Sequence, residues 1–288
     1  MNFMPGMRQQ TIRANGIRVN TWVGGEGDPV VLLHGYPQTA QMWRKVAPAL
    51  LNRFTVVCPD LRGYGDSDKP RDGYDKRSMA KDVVETMKAF GFARFALVGH
   101  DRGARVSHRL AMDYPEAVKN LTVLDIVPTH TVFRDAGKDL AAAYWHWFFF
   151  QVPDLPEIMI ANSAEAFLRN MFRALCFRQD AIEEPMFAEY LRAFTLPGTI
   201  RGGLEDYRAA ATVDIADDER DLGKKLSCPV LAIWGEQGKM HTLFDVLKTW
   251  REKADDVRGH ALMCGHFIPE EAPEDLLRDL VPFLSHGR

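Results

Sequence analysis

The fold is decided by one stretch, Leu97-Val98-Gly99-His100-Asp101-Arg102-Gly103. It begins in an apolar run that is typical of a strand, and a helical pattern over Arg102–Asp113 follows it and stops before Pro115. Glycines on both sides permit the tight strand-to-helix turn that presents a nucleophilic side chain at position 101. An aspartate occupies that position. Asp101 could instead only cap the helix, as Asp often does, but the flanking glycines favour the turn.

Outward from this turn, short apolar runs alternate with helical patterns. The predicted strands are a hairpin of Gln10–Arg13 and Arg18–Trp22, then Val30–Leu33, Thr55–Cys58, Phe95–Val98, Leu121–Val127, Pro229–Trp234 and Val257–Met263. The predicted helices are Met79–Phe90, Arg102–Asp113, Leu243–Lys253 and Pro273–Leu284. This order predicts an α/β fold, in which helices flank a mostly parallel central sheet.

The alternation is interrupted once. Between residues 128 and 220 the sequence is helical and rich in aromatic residues, and it contains no strand-like run. We therefore predict a core domain of residues 1–127 and 221–288, into which a helical cap domain of residues 128–220 is inserted.

The composition excludes several classes of function. Among 288 residues, 36 are Lys or Arg and 39 are Asp or Glu, so the net charge is −3. This balance argues against broad electrostatic contact with nucleic acid or an anionic membrane. The four cysteines form no CxxC pair, and the longest apolar stretch, Leu140–Val152, is too short to span a membrane. With no signal-peptide pattern at the N-terminus, we expect a cytoplasmic protein without a metal site.

An aspartate nucleophile attacks a carbon that bears a leaving group and forms an ester, which water must then open. This second step needs a base. His266 follows the last predicted strand, where the late histidine of this architecture falls. An acid must orient that histidine, and Asp125 interrupts the apolar run Leu121–Val127, where an unpaired carboxylate would be costly. We predict Asp125 as this acid, with Glu236 as the competing candidate.

Two arginines indicate the kind of substrate. Arg102 and Arg105 lie three residues apart on the helix that begins at the turn, so they share the face beside Asp101. An anionic substrate beside Asp101 would be repelled by about 4 kcal/mol at about 4 Å and an effective dielectric of about 20. Two guanidinium groups could offset this repulsion, and each can bind a carboxylate through two N–H groups. We therefore expect a substrate with its own carboxylate.

Motifs along nearly the whole chain carry a family resemblance. They are residues 34–38 (HGYPQ), 60–65 (DLRGYG), 99–105 (GHDRGAR), 125–129 (DIVPT), 144–147 (YWHW) and 206–208 (DYR). With these motifs the chain resembles the α/β-hydrolase superfamily and, within it, the fluoroacetate (haloacetate) dehalogenases. One region departs from that family, because Arg173-Ala174-Leu175 stands where the family often has a tryptophan. The preferred haloacid is therefore left open.

The resemblance implies hydrolysis of a haloacetate to glycolate and halide through an ester on Asp101. It implies a catalytic triad of Asp101, His266 and Asp125, and a clamp for the substrate carboxylate formed by Arg102 and Arg105. It also implies a halide site of His146, Trp147 and Tyr207. His34 and Tyr36 are two further pocket residues. No metal or organic cofactor is implied, the only partner is the small haloacid, and a homodimer paired through cap helices is expected.

Other functions fit parts of the pattern. An epoxide hydrolase would use the same triad, although such enzymes usually have a tryptophan where Arg102 stands. An esterase would have a serine in place of Asp101. A member of the fold that only binds a ligand would bind small acids without releasing halide.

Overall fold

A central sheet of eight strands organises the computed structural model, which describes residues 3–285. The strands are β1 (Arg8–Ala14), β2 (Ile17–Gly24), β3 (Asp28–Leu33), β4 (Phe54–Pro59), β5 (Phe95–His100), β6 (Val118–Leu124), β7 (Val230–Gly235) and β8 (Val257–Leu262). Their order is β1-β2-β4-β3-β5-β6-β7-β8. The β1–β2 and β2–β4 pairs are antiparallel, and all other pairs are parallel. The α/β prediction is confirmed.

Helices cover both faces of this sheet, which explains why its central strands are continuous apolar runs. Every residue of β5 and β7 is buried, as expected for parallel strands with helices on either side. The α-helices outside the β6–β7 connection are α1 (Ala47–Leu50), α2 (Lys76–Ala89), α3 (Arg102–Asp113), α12 (Lys239–Leu243), α13 (Val246–Arg251), α14 (Ile268–Glu271) and α15 (Pro273–Ser285), and 3-10 helices cover Ala40–Lys45 and Pro115–Ala117.

The connection from β6 to β7 is entirely helical over Thr129–Arg220 apart from its turns, and we call this segment the cap. Its helices are α4 (Thr129–Arg134), α5 (Lys138–Ala143), α6 (Trp145–Phe149), α7 (Leu155–Ala161), α8 (Ala164–Leu175), α9 (Glu184–Phe194), α10 (Thr199–Ala210) and α11 (Val213–Arg220). The cap therefore follows the strand that ends directly before Asp125.

The turn between β5 and α3 depends on two glycines that allow close packing. A Cβ on Gly99 would lie 2.5 Å from the Cα of Ala104, and one on Gly103 would lie 2.4 Å from the carbonyl oxygen of His34. Between them Asp101 has φ 47° and ψ −116°, a conformation that side-chain-bearing residues adopt only where surrounding structure enforces it. The expected turn is therefore present.

Two local predictions were wrong. The apolar run Leu121–Val127 is not one strand, because β6 ends at Leu124 and Asp125 turns away with φ 52°. The predicted helix Leu243–Lys253 is two helices, α12 and α13, since Asp245 adopts an extended conformation and its side chain accepts a hydrogen bond from the N–H of Lys248 at 3.0 Å. Within residues 3–285 no helix combines the length and apolarity needed to cross a membrane.

Candidate active site

Asp101 lies at the carboxyl end of the central strands, directly after β5. Only 7% of its surface is exposed. One carboxylate oxygen accepts the backbone N–H of Tyr36 at 2.9 Å, from the loop after β3. The close approach of this loop requires Gly35, because a Cβ there would lie 2.5 Å from the Cβ of Asp101. The loops after β3 and β5 thus hold the carboxylate in one place.

The structure brings His266 together with Asp125. The Nδ1 of His266 lies 2.6 Å from one carboxylate oxygen of Asp125, and the other oxygen accepts the N–H of Gly235 at 3.0 Å. The competing candidate, Glu236, is exposed on the surface. Asp125 therefore occupies the position from which an acid can orient the imidazole.

Burial and neighbouring charges set the protonation of this group. Burial disfavours the charged form of His266, but the hydrogen bond that His266 donates to Asp125, together with the neighbouring carboxylate charges, outweighs burial and raises the pKa of His266. Burial likewise opposes ionisation of Asp101, and the charges of His266, Arg102 and Arg105 more than offset it, so the pKa of Asp101 is lowered. Asp101 is therefore an ionised carboxylate at neutral pH, as a nucleophile requires.

Arg102 is fully buried in an ion cluster that joins α3 to the cap. Its Nε and Nη2 donate to one oxygen of Asp206 at 3.1 and 2.6 Å, and Nη2 also donates to the Asp206 carbonyl at 2.9 Å. The same carboxylate accepts from Lys76 and, at 2.7 Å, from the hydroxyl of Tyr64. Burial disfavours the charge on Arg102, but Asp206 outweighs burial and raises the pKa of Arg102. The Nη1 of Arg102 has no partner in the described chain.

Arg105 is held differently, and two of its guanidinium nitrogens have no partner in the part of the chain that the structure describes. Its Nη1 donates to the carbonyl of Val127 and the hydroxyl of Thr129, both at 3.0 Å, whereas Nε and Nη2 are buried without a partner among residues 3–285. Burial, and then the charge of Arg102, lower the pKa of Arg105 to about 10. The group is still charged at neutral pH. Most buried donors in proteins have a partner, so these donors are available to a ligand or to water.

The aromatic residues His146, Trp147 and Tyr207 form one cluster in the cap. The ring centroid of Tyr207 lies 5.7 Å from that of His146 and 5.5 Å from that of Trp147. Arg102 lies over the Tyr207 ring at 4.3 Å, and Arg105 lies over Trp147 at 4.6 Å. Gln151 donates to the backbone carbonyls of Trp147 and Tyr207. The imidazole of His146, the indole N–H of Trp147 and the hydroxyl of Tyr207 form no hydrogen bond with residues 3–285. Burial lowers the pKa of His146 to about 3, so this imidazole is neutral.

The two remaining predicted pocket residues have different environments. His34 is fully buried, its Nε2 accepts the N–H of Leu61 at 2.9 Å, and its Nδ1 lies 3.0 Å from the Gly35 carbonyl. Both nitrogens of His34 are therefore occupied by backbone. Tyr36 packs edge-on against Tyr207 at 5.3 Å, and its buried hydroxyl has no partner among the residues described.

Three residues near the site were not found from the sequence. The ring of His100 packs against that of His266 at 4.6 Å with the two planes tilted, and its Nε2 lies 2.8 Å from the His266 carbonyl oxygen. Asp206 lies within a quoted motif, but nothing local identified Arg102 as its partner. Glu271 accepts backbone N–H groups on both sides of His266. Acidic residues are common near the start of helices, so nothing in the sequence signalled this role.

The region that departs from the family pattern, residues 173–175, lies against His266. The carbonyl of Leu175 accepts the N–H of His266 at 3.0 Å. A cleft of about 440 Å³ opens on the cap beside Phe172, Arg173 and Cys176. Among residues 3–285 no three His, Cys, Asp or Glu side chains are grouped to hold a metal ion.

Comparison with known proteins shows which family the chain belongs to. A model of the alpha/beta hydrolase fold matches residues 28–273. The chain is 41% identical over 290 residues to a fluoroacetate dehalogenase from Burkholderia sp, covering 98% of this chain and 95% of that protein. It is 37% identical over 279 residues to a soluble epoxide hydrolase from Corynebacterium sp. (strain C12), covering 94% and 95%.

A solved structure of similar fold supports the same family. The crystal structure of a protein from Nostoc sp PCC 7120, assigned to the alpha/beta hydrolases, matches with a TM-score of 0.97 and 49% identity, covering 99% of this chain and 100% of the other. The matched region contains the turn at Asp101 and the two residues predicted as acid and base, Asp125 and His266. The chain therefore belongs to the α/β-hydrolase family and is a hydrolase of that fold.

Proposed function

We propose that this hydrolase is a haloacetate dehalogenase, which converts a haloacetate such as fluoroacetate or chloroacetate to glycolate and halide. One observation carries the proposal. Three guanidinium nitrogens, Nη1 of Arg102 with Nε and Nη2 of Arg105, are buried without a partner within residues 3–285, beside the proposed nucleophile Asp101. The 41% identity to a fluoroacetate dehalogenase supports the same reaction.

The free donors suit a small carboxylate. A carboxylate has two oxygens that together accept up to about four hydrogen bonds, and the guanidinium fork matches its geometry. The positive charges of Arg102 and Arg105 also reduce the repulsion between Asp101 and an anionic substrate. Because both arginines are buried, their interactions with the substrate are only weakly screened by salt.

In the first step, the Asp101 carboxylate attacks the α-carbon of the haloacetate. A carbon–oxygen bond forms as the carbon–halogen bond breaks, and the halogen leaves with the bonding electron pair as halide. Fluoride is a poor leaving group that needs hydrogen-bond donors directed at its developing charge. We assign this role to His146, Trp147 and Tyr207, which supply an imidazole, an indole and a phenol donor.

In the second step, water hydrolyses the ester on Asp101. His266, oriented by Asp125, removes a proton from the water, whose oxygen attacks the carboxyl carbon of Asp101. The N–H of Tyr36 already contacts this carboxylate and can stabilise the negative oxygen of the intermediate, as expected for the loop after β3. Protonated His266 then gives the proton to the departing oxygen, so glycolate leaves with the original Asp101 oxygen and the water oxygen stays on Asp101.

This route is tested by a single turnover of chloroacetate in heavy-oxygen water. Mass spectrometry of the peptide that contains Asp101 is expected to show the label, while the first glycolate carries none. Label only in glycolate would contradict the ester route. Asp101→Asn provides the control, because it should release no halide from fluoro-, chloro- or bromoacetate.

Epoxide hydrolysis is the second candidate. The 37% identity to a soluble epoxide hydrolase favours it, and the free hydroxyl of Tyr207 could donate to an opening epoxide oxygen. An epoxide has no carboxylate, so it would leave the free donors of Arg102 and Arg105 unused. Turnover of styrene oxide without halide release from any haloacetate would favour this function.

A further inference from the structure

Glu271 is a buried carboxylate with an unusual set of partners. Only 2% of its surface is exposed, and within residues 3–285 it forms no ion pair with a Lys or Arg side chain. Its partners are instead four backbone N–H groups, which lie in two separate segments of the chain. A buried carboxylate is costly unless such hydrogen bonds compensate it.

The first segment contains the base. Glu271 accepts the N–H of Gly265 at 2.9 Å and the N–H of Phe267 at 3.0 Å, on either side of His266. The N–H of His266 itself donates to the carbonyl of Leu175 at 3.0 Å. The backbone N–H groups of residues 265–267, which we call the histidine loop, are therefore all hydrogen-bonded, and two of them bind the Glu271 side chain.

The second segment belongs to the cap. Glu271 accepts the N–H of Phe177 at 2.8 Å and that of Arg178 at 2.9 Å, directly after helix α8. The two segments touch so closely that a Cβ on Gly265 would lie 2.5 Å from both the Leu175 carbonyl oxygen and the Phe177 nitrogen. Glu271 thus joins the histidine loop to the cap where the two segments are closely packed.

We propose that Glu271 is a positioning residue that holds the His266 loop against cap residues 175–178 and thereby places the base for ester hydrolysis. The inference about the reaction step rests on the proposed dehalogenation. Attack by Asp101 on the haloacetate does not use His266 as a base, so the first step should be independent of Glu271. Hydrolysis of the ester needs the imidazole at a fixed place, and misplacement by about 1 Å can slow an enzyme about 100-fold.

The test is Glu271→Gln, compared with two controls. Gln offers one acceptor oxygen where the carboxylate offers two, so the four N–H groups cannot all be satisfied. Glu270→Gln removes a neighbouring buried carboxylate whose side-chain partners, all outside residues 265–267, are Arg44, Lys45, Tyr190 and Gln38. Glu274→Gln removes an exposed carboxylate at the start of α15.

Rapid-quench mass spectrometry with chloroacetate separates the two steps. In Glu271→Gln, we expect unchanged halide release in the first turnover, accumulation of the Asp101 ester, and steady-state turnover slower by about 10- to 100-fold. Neither control should accumulate ester, although Glu270→Gln should unfold at a lower temperature. Equal slowing of both steps, or turnover without ester accumulation, would overturn the proposal.

A readout without turnover keeps the proposal separate from the dehalogenase assignment. Asp125, Asp101, His100 and His146 also face His266, and all of them are unchanged in Glu271→Gln. Removing the Glu271 charge should lower the pKa of His266 measured by NMR, and amide exchange should accelerate together in residues 265–267 and 177–178. Unchanged exchange in either segment would overturn the proposal, even if no haloacetate is a substrate.

A second variant covers the case in which Glu271→Gln does not fold. Glu271→Asp keeps the charge but is shorter by one methylene, so it cannot reach both segments at their present spacing. We expect ester accumulation and faster amide exchange, with the pKa of His266 retained. Wild-type turnover and exchange in Glu271→Asp would overturn the positioning role.

Discussion

Replacing Arg105 with lysine tests the carboxylate clamp, because it keeps the positive charge and removes the fork. Arg105 uses Nη1 for Val127 and Thr129 and leaves Nε and Nη2 free. A lysine ammonium has three donors, and two of them would be needed to replace the bonds to Val127 and Thr129. At most one donor then remains for the substrate carboxylate.

The size of the effect follows from this count. One hydrogen bond to a charged group contributes about 1.5–3 kcal/mol, and about 1.36 kcal/mol corresponds to a tenfold change in rate. Arg105→Lys should therefore lower kcat/KM for chloroacetate by roughly 10- to 150-fold. The loss should affect only substrates with a carboxylate.

The assay compares chloroacetate with the neutral chloroacetamide, with halide release as the common signal. We expect the ratio of the two kcat/KM values to fall in Arg105→Lys by the factor given above. Arg169→Lys is the matched control, since Arg169 lies on the cap surface in ion pairs with Glu165 and Glu184. An unchanged ratio, with both substrates slowed equally, would refute a role for Arg105 in carboxylate recognition.

Three further predictions concern the base, the turn and the assembly. Only neutral His266 can accept a proton, so the rate of ester hydrolysis should increase with pH, with a midpoint above the ordinary histidine pKa because the pKa of His266 is raised. A pH profile of single-turnover glycolate release measures this midpoint. A midpoint below about 6.5 would contradict the prediction. Gly103→Ala should destabilise the protein by about 1–3 kcal/mol in urea unfolding, because the new Cβ would meet the His34 carbonyl. Gly137→Ala, where nothing lies within 4 Å, should not. The expected homodimer should dissociate in Ile158→Glu, since Ile158 exposes 58% of its surface on the cap; sedimentation that shows a wild-type monomer would rule it out.

The features that could be predicted from the sequence are those set by neighbouring residues. The glycines around Asp101 predicted the strand-to-helix turn, since the need for close packing is local. Runs such as Val30–Leu33 and Pro229–Trp234 predicted strands because both faces of the sheet are covered. His266 could be placed after the last strand by chain order alone.

Features that depend on distant residues could not be predicted. The partner of Arg102 is Asp206, which lies 104 residues further along the chain, and no local pattern connects them. Glu271 reaches back 94 residues to Phe177. The end of β6 at Leu124 was also missed, because an apolar run does not show where Asp125 turns toward His266.

The ion cluster around Asp206 limits how this enzyme can be redesigned. Asp206 belongs to the cap, whereas its partners Lys76, Arg102 and Tyr64 belong to the sheet-bearing core. A cap grafted from a relative without an acid at this position would leave the buried Arg102 without its acid partner, and would leave Lys76 with only the carboxylate of Asp214, 3.4 Å away. Chimeras made to change substrate preference should therefore transfer Asp206 with the cap, or replace Lys76 and Arg102 at the same time.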